Sequence, residues 1–436
     1  MSYNIIIGRD AADKERFGEK GLISLGKGYV KMGQHTSLSN NILMDVARSH
    51  VILIAGKRGS GKSHSLGVIA EQLSTLPPDN AKNIAPLIFD TMGIFWTMKF
   101  KNEKDSILLK QWNLESKNIP LKVFVPFGKA LFYQSKNIPF DSTFALKVEE
   151  LEAEDWLSIF NLSLTHPLGV LVTRIIADLK KTSRSYTLRE ILKAIEKDHH
   201  SSPDIKENAL AFFTAAENWG IFAQENEGTP ITDLTKPGTT SIIDISVYSA
   251  VSSFNIRALV ISLITRKIFN NRMDARKKEE LDAINHGQDY LSYQSTRDSP
   301  LVWLFIDEGH EFLPKKDKTP ATDALIQVLR EGRQPGLSLV IATQQPGQIH
   351  KDVMTQADIV IAHRVTAKPD IEALNEIMQT YLLENIRQHL DSLPSLKGSA
   401  IILDDNSERI YSMRVRPRFT WHGGEAPASI SAEVKL

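Results

Sequence analysis

The chain has 436 residues, 52 Lys and Arg balanced by 52 Asp and Glu, 42% hydrophobic residues and no cysteine. This composition excludes a disordered tail, disulfide staples, thiolate metal sites and cysteine nucleophiles, and it fits a reducing, cytoplasmic setting. The length suits two or three units or one large α/β domain, and zero net charge means that any nucleic-acid binding has to come from a local basic surface. The opening MSYNIIIGRD has a short apolar run and no basic leader, so no secretory signal is expected. The longest apolar stretches, near 51–55 and 301–306, fall far short of the roughly 20 residues of a bilayer span, and no membrane association is expected.

Residues 49–55 (SHVILIA) form an apolar, β-branched run that stops at a glycine cluster and is followed by a helical pattern over 64–73. The spacing predicts strand, turn and helix. Gly56-Lys57-Arg58-Gly59-Ser60-Gly61-Lys62-Ser63 matches G-x-x-x-x-G-K-[ST] at that turn. Glycines there let successive backbone N–H groups point at phosphate oxygens, helped by the positive end of the following helix. Gly56 to Ser63 and the adjacent His64 are therefore the expected nucleotide-binding stretch. Lys62 would neutralise β- and γ-phosphate charge, and the Ser63 hydroxyl would bind Mg²⁺.

Further buried strands are expected at 86–89 (ending at Asp90), 121–125, 240–245, 301–306, 338–342 and 359–361, mostly as continuous apolar runs without alternation. Strands buried on both faces of a parallel sheet look like this. Between 149 and 226 four segments show apolar spacing near 3.6 with no strand signal, which predicts a helical insertion. Residues 276–299 are polar and weakly periodic, as in a solvated linker or an extended helix end. Strand patterning returns at 400–403 and 409–415, before the closing RPRFTWHGG. The fold class is α/β, doubly wound.

The run 301–306 ends at Asp307-Glu308, and α/β sheets place ligands at the C-terminal ends of their strands. Asp307 would act on the metal side and Glu308 would be the hydrolytic base. Gln344, first after the next strand and Thr343, is expected to orient the water or sense the γ-phosphate, with Gln345 as the alternative. Of Arg330 and Arg333, Arg333 is the expected guanidinium donor to a neighbouring subunit's site. His310 and Glu311 lack a second histidine at helical spacing and read as packing, not as a metal site. Lys99, Lys101 and Lys104 read as a solvated face in preference to a DNA-binding loop.

GKRGSGKS, LVWLFIDEGHEF, LREGRQPGLSLVIATQQP and RPRFTWHGG together resemble the HerA branch of the HerA/FtsK superfamily of ring-forming DNA-pumping ATPases. The likeness covers roughly 36–370 plus the C-terminal strands. It implies a RecA-like core over 36–148 and 227–436, the helical insertion at 149–226 and a reduced N-terminal β segment over 1–35. It also implies ATP with Mg²⁺ between the protomers of a homohexamer, Arg333 acting in trans, Arg48 as a cis-acting arginine, Asp90 near the nucleotide and double-stranded DNA in the pore. Arg58 stands where the family has a small hydroxyl residue, and Ile94 follows Gly93 where an acidic residue is common. Two functions follow as expectations. One is a translocase or helicase serving a nuclease or other effector in DNA processing or anti-phage defence; the other is a nucleotide-gated scaffold that regulates a partner enzyme.

Overall fold

Among the described residues a sheet of thirteen strands organises the chain in the order β1-β3-β2-β13-β12-β11-β4-β10-β9-β5-β8-β6-β7. The computed structural model describes residues 3–32, 35–183, 185–225, 227–248, 255–286, 299–378 and 386–424. The strands are β1 (Ile5–Ile7), β2 (Leu22–Met32), β3 (His35–Asp45), β4 (Val51–Ala55), β5 (Ile84–Asp90), β6 (Leu121–Pro126), β7 (Ser142–Phe144), β8 (Thr240–Asp244), β9 (Leu301–Ile306), β10 (Leu337–Thr343), β11 (Ile359–His363), β12 (Ser399–Asp404) and β13 (Arg409–Val415). From β11 through β4, β10, β9, β5, β8 and β6 to β7 every neighbouring pair is parallel. On the other side of β11 the sheet turns antiparallel through β12, β13, β2 and β3.

The apolar runs lack alternation because both sheet faces are covered. In β4, Leu53 and Ala55 enter one buried cluster, while Ile52 and Ile54 enter the other. The first face carries the long helix Ile256–His286 and the insertion helices Ala153–Ile159, Pro167–Thr182, Leu188–Glu196 and Pro203–Asn218. Those helices share one core with the sheet, since Trp156, Phe160 and Phe213 cluster with Leu87 and Leu304. Reciprocal capping boxes, Glu152 with Asp155 and Thr187 with Glu190, fix the starts of two of them. The polar stretch after 276 continues the long helix to His286; the rest of it, 287–298, lies outside the described residues.

The N-terminal hairpin is longer than the sequence suggested. β3 runs on to Asp45, so the division expected at 35/36 falls inside the β2–β3 pair. Gly26 and Gly28 in β2 and the Ser-Asn-Asn run in β3 carry little intrinsic strand signal. Pairing of β2 with β13 supplies what propensity does not. Among the described residues no helix is long and apolar enough to cross a membrane.

At the N-terminal end of β4, His50 sits between two carboxylates, 2.6 Å from Asp358 and 3.1 Å from Asp45. Asp45 also accepts from Arg9 Nε at 2.7 Å. Burial pulls the His50 pKa down, but Asp358 and Asp45 outweigh it and hold the imidazolium up to about 9. A group raised in the folded state stabilises fully below its unfolded value, near 6.5, and that contribution fades as pH rises through about 9. His50→Gln should therefore cost about 2 kcal/mol at pH 6 and progressively less toward pH 10. Urea melts at the two pH values check this; an equal loss at both would contradict it.

Candidate active site

β4 delivers the glycine loop to the C-terminal edge of the parallel sheet. The Gly56 N–H donates to the Thr343 carbonyl at 3.3 Å and the Lys57 N–H to the Arg364 carbonyl at 3.0 Å, so the loop is tied to the ends of both neighbouring strands. Gly61 has φ +113°, a region closed to residues with a Cβ, and the helix Lys62–Leu73 starts directly after it. A buried relay fixes this helix. Burial pushes His363 down to about 4, so its ring is neutral. The Ser399 carbonyl can only accept from Nδ1, at 3.1 Å, which leaves Nε2 to accept from the Ser65 hydroxyl at 2.8 Å.

β9 brings the acids to the same edge, with β10 between it and β4. The Ser63 hydroxyl donates to Asp307 at 2.6 Å. Lys62 is buried, and its Nζ donates to the Lys57 carbonyl at 3.3 Å. Burial lowers the Lys62 pKa, opposed by Glu308 and Asp307. Burial raises Asp307 against the opposing pull of Ser63 and Lys62. Glu308 lies in the left-handed region at φ +53°, a placement that costs a non-glycine residue roughly 1–2 kcal/mol and recurs at functional sites. Gln344 Nε2 donates to Glu308 Oε1, while Gln345 is exposed and offers its backbone N–H to the Thr343 hydroxyl at 3.1 Å. Glu308 Oε2 and the buried Ser60 hydroxyl have no hydrogen-bond partner among the described residues. His310 approaches that free oxygen at 3.6 Å and meets the Thr343 hydroxyl at 3.2 Å. A hydroxyl and a carboxylate in contact, beside unpartnered oxygens, form a hard-oxygen donor set that fits Mg²⁺, while the loop backbone N–H groups and Lys62 are the groups that suit phosphate.

Three expected participants stand elsewhere in the protomer. Arg48 precedes β4, at the opposite end of that strand from the loop, on the order of 17 Å away or more by strand rise. It grips Asp13 through two bonds, at 2.7 and 2.6 Å, and so gives no cis guanidinium to this pocket. Asp90 ends β5, three strand positions from β4. It is consumed by its own turn, accepting from Gly93 at 2.7 Å, Ile94 at 3.1 Å and Phe95 at 2.7 Å. Its carboxylate starts that turn. Arg333 is exposed and lies before β10, at the edge opposite Gln344, because the helix Thr322–Glu331 runs back along the sheet before the strand begins. Within its own protomer Arg333 thus stands at the edge opposite Asp307 and Glu308, although it follows them closely in sequence. Arg330 pairs with Asp352 at 2.6 Å. Lys57 and Arg58 are exposed at the crest of the loop. Lys99 pairs with Asp141 at 2.5 Å.

The sequence reading missed how the C-terminal segment is used. The His64 ring donates from Nε2 to the Arg416 carbonyl at 3.0 Å and meets His422 edge-on at 5.5 Å. Burial pushes His64 down to about 4, which keeps it a neutral donor. The mixed basic and aromatic run RPRFTWHGG was the only signal, and nothing local in it points to the P-loop helix.

With this geometry in place, comparison with known proteins adds the lineage. The family model "Helicase HerA, central domain" matches residues 30–268, and a second, "Zonular occludens toxin (Zot)", matches 221–368. A DNA double-strand break repair helicase HerA from Pyrococcus furiosus is 25% identical over 183 residues, covering 38% of this chain and 31% of the relative. The protein of the same description from Saccharolobus solfataricus is 22% identical over 407 residues, covering 91% of this chain and 69% of the relative. The aligned region thus spans under a third of the Pyrococcus protein. In fold, the chain is similar to VirB4 of Thermoanaerobacter pseudethanolicus, with a TM-score of 0.54, 11% identity and coverage of 92% of this chain and 97% of that one. The bacterial conjugative coupling protein TrwBdeltaN70 gives 0.51 at 12% identity, covering 88% of each. A glycine loop at the end of β4, a strand-end acid pair on β9 and a family match over more than half the sequence lead to one conclusion: this chain belongs to the helicase HerA central-domain family.

Proposed function

We propose that this chain hydrolyses ATP within a homohexameric ring that drives double-stranded DNA, serving a nuclease or other effector in DNA processing or anti-phage defence. The observation that carries the reading is the contact of Ser63 with Asp307, with Glu308 one residue further on and held by Gln344. In this reading residues 56–64 cradle the triphosphate and Lys62 compensates its charge. Ser63 and Asp307 would hold Mg²⁺, which supplies charge neutralisation at the phosphates when bound. Glu308 takes the proton of the attacking water, and the Gln344 amide keeps its carboxylate oriented. Arg333 sits at the far edge of its own protomer, so only a second copy can bring it to a site. The curated relatives are described as DNA double-strand break repair helicases, which supports duplex DNA as the track.

The test is ATPase turnover with and without duplex DNA at low salt, on material whose native mass is measured in parallel. Turnover that rises with duplex length, together with recovery of activity on mixing Arg333→Ala with Lys62→Ala subunits, is the expected result. Strictly monomeric material with full, DNA-indifferent turnover would overturn the motor. An effector that stays active on Glu308→Gln rings would favour the scaffold.

A further inference from the structure

The long helix Ile256–His286 touches both edges of the sheet through two buried arginines. At its start, Arg257 bridges two turns of the acidic edge: Nη2 donates to Glu311 Oε2 at 2.6 Å and Nη1 to the Thr91 carbonyl, just after β5, at 3.2 Å. Its guanidinium also lies 5.7 Å from the centroid of the Phe312 ring. Glu311 in turn donates its backbone N–H to the Glu308 carbonyl at 2.9 Å. Since β9 runs between β5 and β10, the strained turn that begins at Glu308 is tied toward β5 by Arg257 and toward β10 by Gln344. The placement of Arg257 is costly. A cation in the first turn meets the positive end of the helix dipole, and its buried Nε has no hydrogen-bond partner among the described residues, a desolvation left uncompensated.

About four turns and about 22 Å further along the helix axis, Arg272 makes the matching contacts at the opposite edge. Its Nε donates to the Pro335 carbonyl at 2.8 Å and its Nη1 to the Ser299 carbonyl at 2.8 Å and to Glu279 Oε1 at 3.2 Å. Pro335 belongs to the same short turn before β10 as the exposed Arg333. Ser299 leads into β9, whose far end carries Asp307 and Glu308. Between the two arginines Leu259, Ile261, Ile264 and Ile268 are buried in the core of the first sheet face, and a close-packed helix of this kind transmits a displacement from one end to the other.

We infer that Arg257 and Arg272 are positioning residues for the two halves of a composite site: Arg257 sets the turn that presents Glu308 in its own protomer, and Arg272 sets the turn that presents Arg333 to a second copy. One helix thereby links the acid turn of one site to the guanidinium that serves the next. The inference rests on the proposed reading in which hydrolysis needs both halves.

Subunit mixing separates the two roles. Arg257→Met and Arg272→Met should each lower kcat for ATP by at least about tenfold, the scale of a misplaced group, with KM unchanged. Arg257→Met subunits should regain turnover when mixed with Arg333→Ala subunits, because one supplies Arg333 and the other an intact acid turn, and should not regain it with Lys62→Ala. Arg272→Met should behave in the opposite way, recovering with Lys62→Ala and not with Arg333→Ala. A merely structural role would give both variants the same pattern. Recovery of both in both mixtures, or of neither in any, would overturn the inference. If native mass shows that the Met variants do not assemble, Arg257→Lys and Arg272→Lys, which keep the charge but not the planar fork that spans two acceptors, must meet the same criteria. A parent that hydrolyses no ATP, or a failure of Arg333→Ala and Lys62→Ala to complement each other, would instead sink the composite site, and this inference with it.

Discussion

Glu308→Gln is expected to lower steady-state ATP hydrolysis by about a thousandfold, or about 4 kcal/mol of barrier, while nucleotide still binds. The substitution keeps the side chain's shape, and a glutamine carbonyl can still accept from Gln344. What it removes is the only function the neighbours do not supply, a proton acceptor at that oxygen. Glu308 is buried, and its Oε2 has no hydrogen-bond partner among the described residues. Burial and the adjacent Asp307 raise its pKa, against Gln344 and Lys62, which lower it. A base must be deprotonated to act, so in the parent protein the acid limb of the kcat/KM–pH profile, which reports the free enzyme, should lie above the ordinary glutamate range. Residual turnover above a tenth of the parent would remove Glu308 from the role. A profile flat down to an ordinary carboxylate pKa would show that the water is activated elsewhere.

The parts of this site that were legible in the sequence share one feature. Each sits where an apolar run stops: Gly56 after β4, Asp307 after β9, Gln344 after β10. A parallel strand buried on both faces announces itself by composition, and its C-terminal end then fixes the edge on which its last residues stand. The misplaced residues lack that anchor. Arg48 and Arg333 precede strands, and sequence proximity to a motif says nothing about the edge until the strand's direction is considered. Asp90 does end a strand, but its lateral distance from β4 depends on sheet order, which no local pattern encodes. Gln344 and Gln345 are equivalent in composition; only the backbone turn after Thr343 sends one to Glu308 and the other to solvent. Glu71 was invisible for a related reason. It reads as an ordinary helix carboxylate, and its partners lie more than 340 residues away.

That same Glu71 carries the largest expected effect on stability. Its side chain, on the helix Lys62–Leu73, is completely buried and accepts from the backbone N–H of Phe419 at 2.9 Å and of Thr420 at 3.2 Å, and from the Thr420 hydroxyl at 2.9 Å. Arg416 pairs with it at 2.7 Å and Arg418 approaches to 3.9 Å. Burial pushes both guanidinium groups down, Arg418 to about 10, with Glu71 opposing. Glu71→Ala leaves two buried cations without their counter-charge and should cost about 4 kcal/mol. Segment 416–422 is the part able to relieve that cost by leaving its place, so a lower Tm should come with faster proteolysis after 415. Gly67→Val offers an independent route, because a Cβ there would lie 2.6 Å from Arg418 Nη1; it should free the segment by steric conflict with every charge retained. Wild-type melting and protection in both variants would show that the segment is not held by this helix. Release, in contrast, takes the Arg416 carbonyl and the His422 ring away from His64 in the first turn of the P-loop helix, so nucleotide binding should weaken together with the lower Tm.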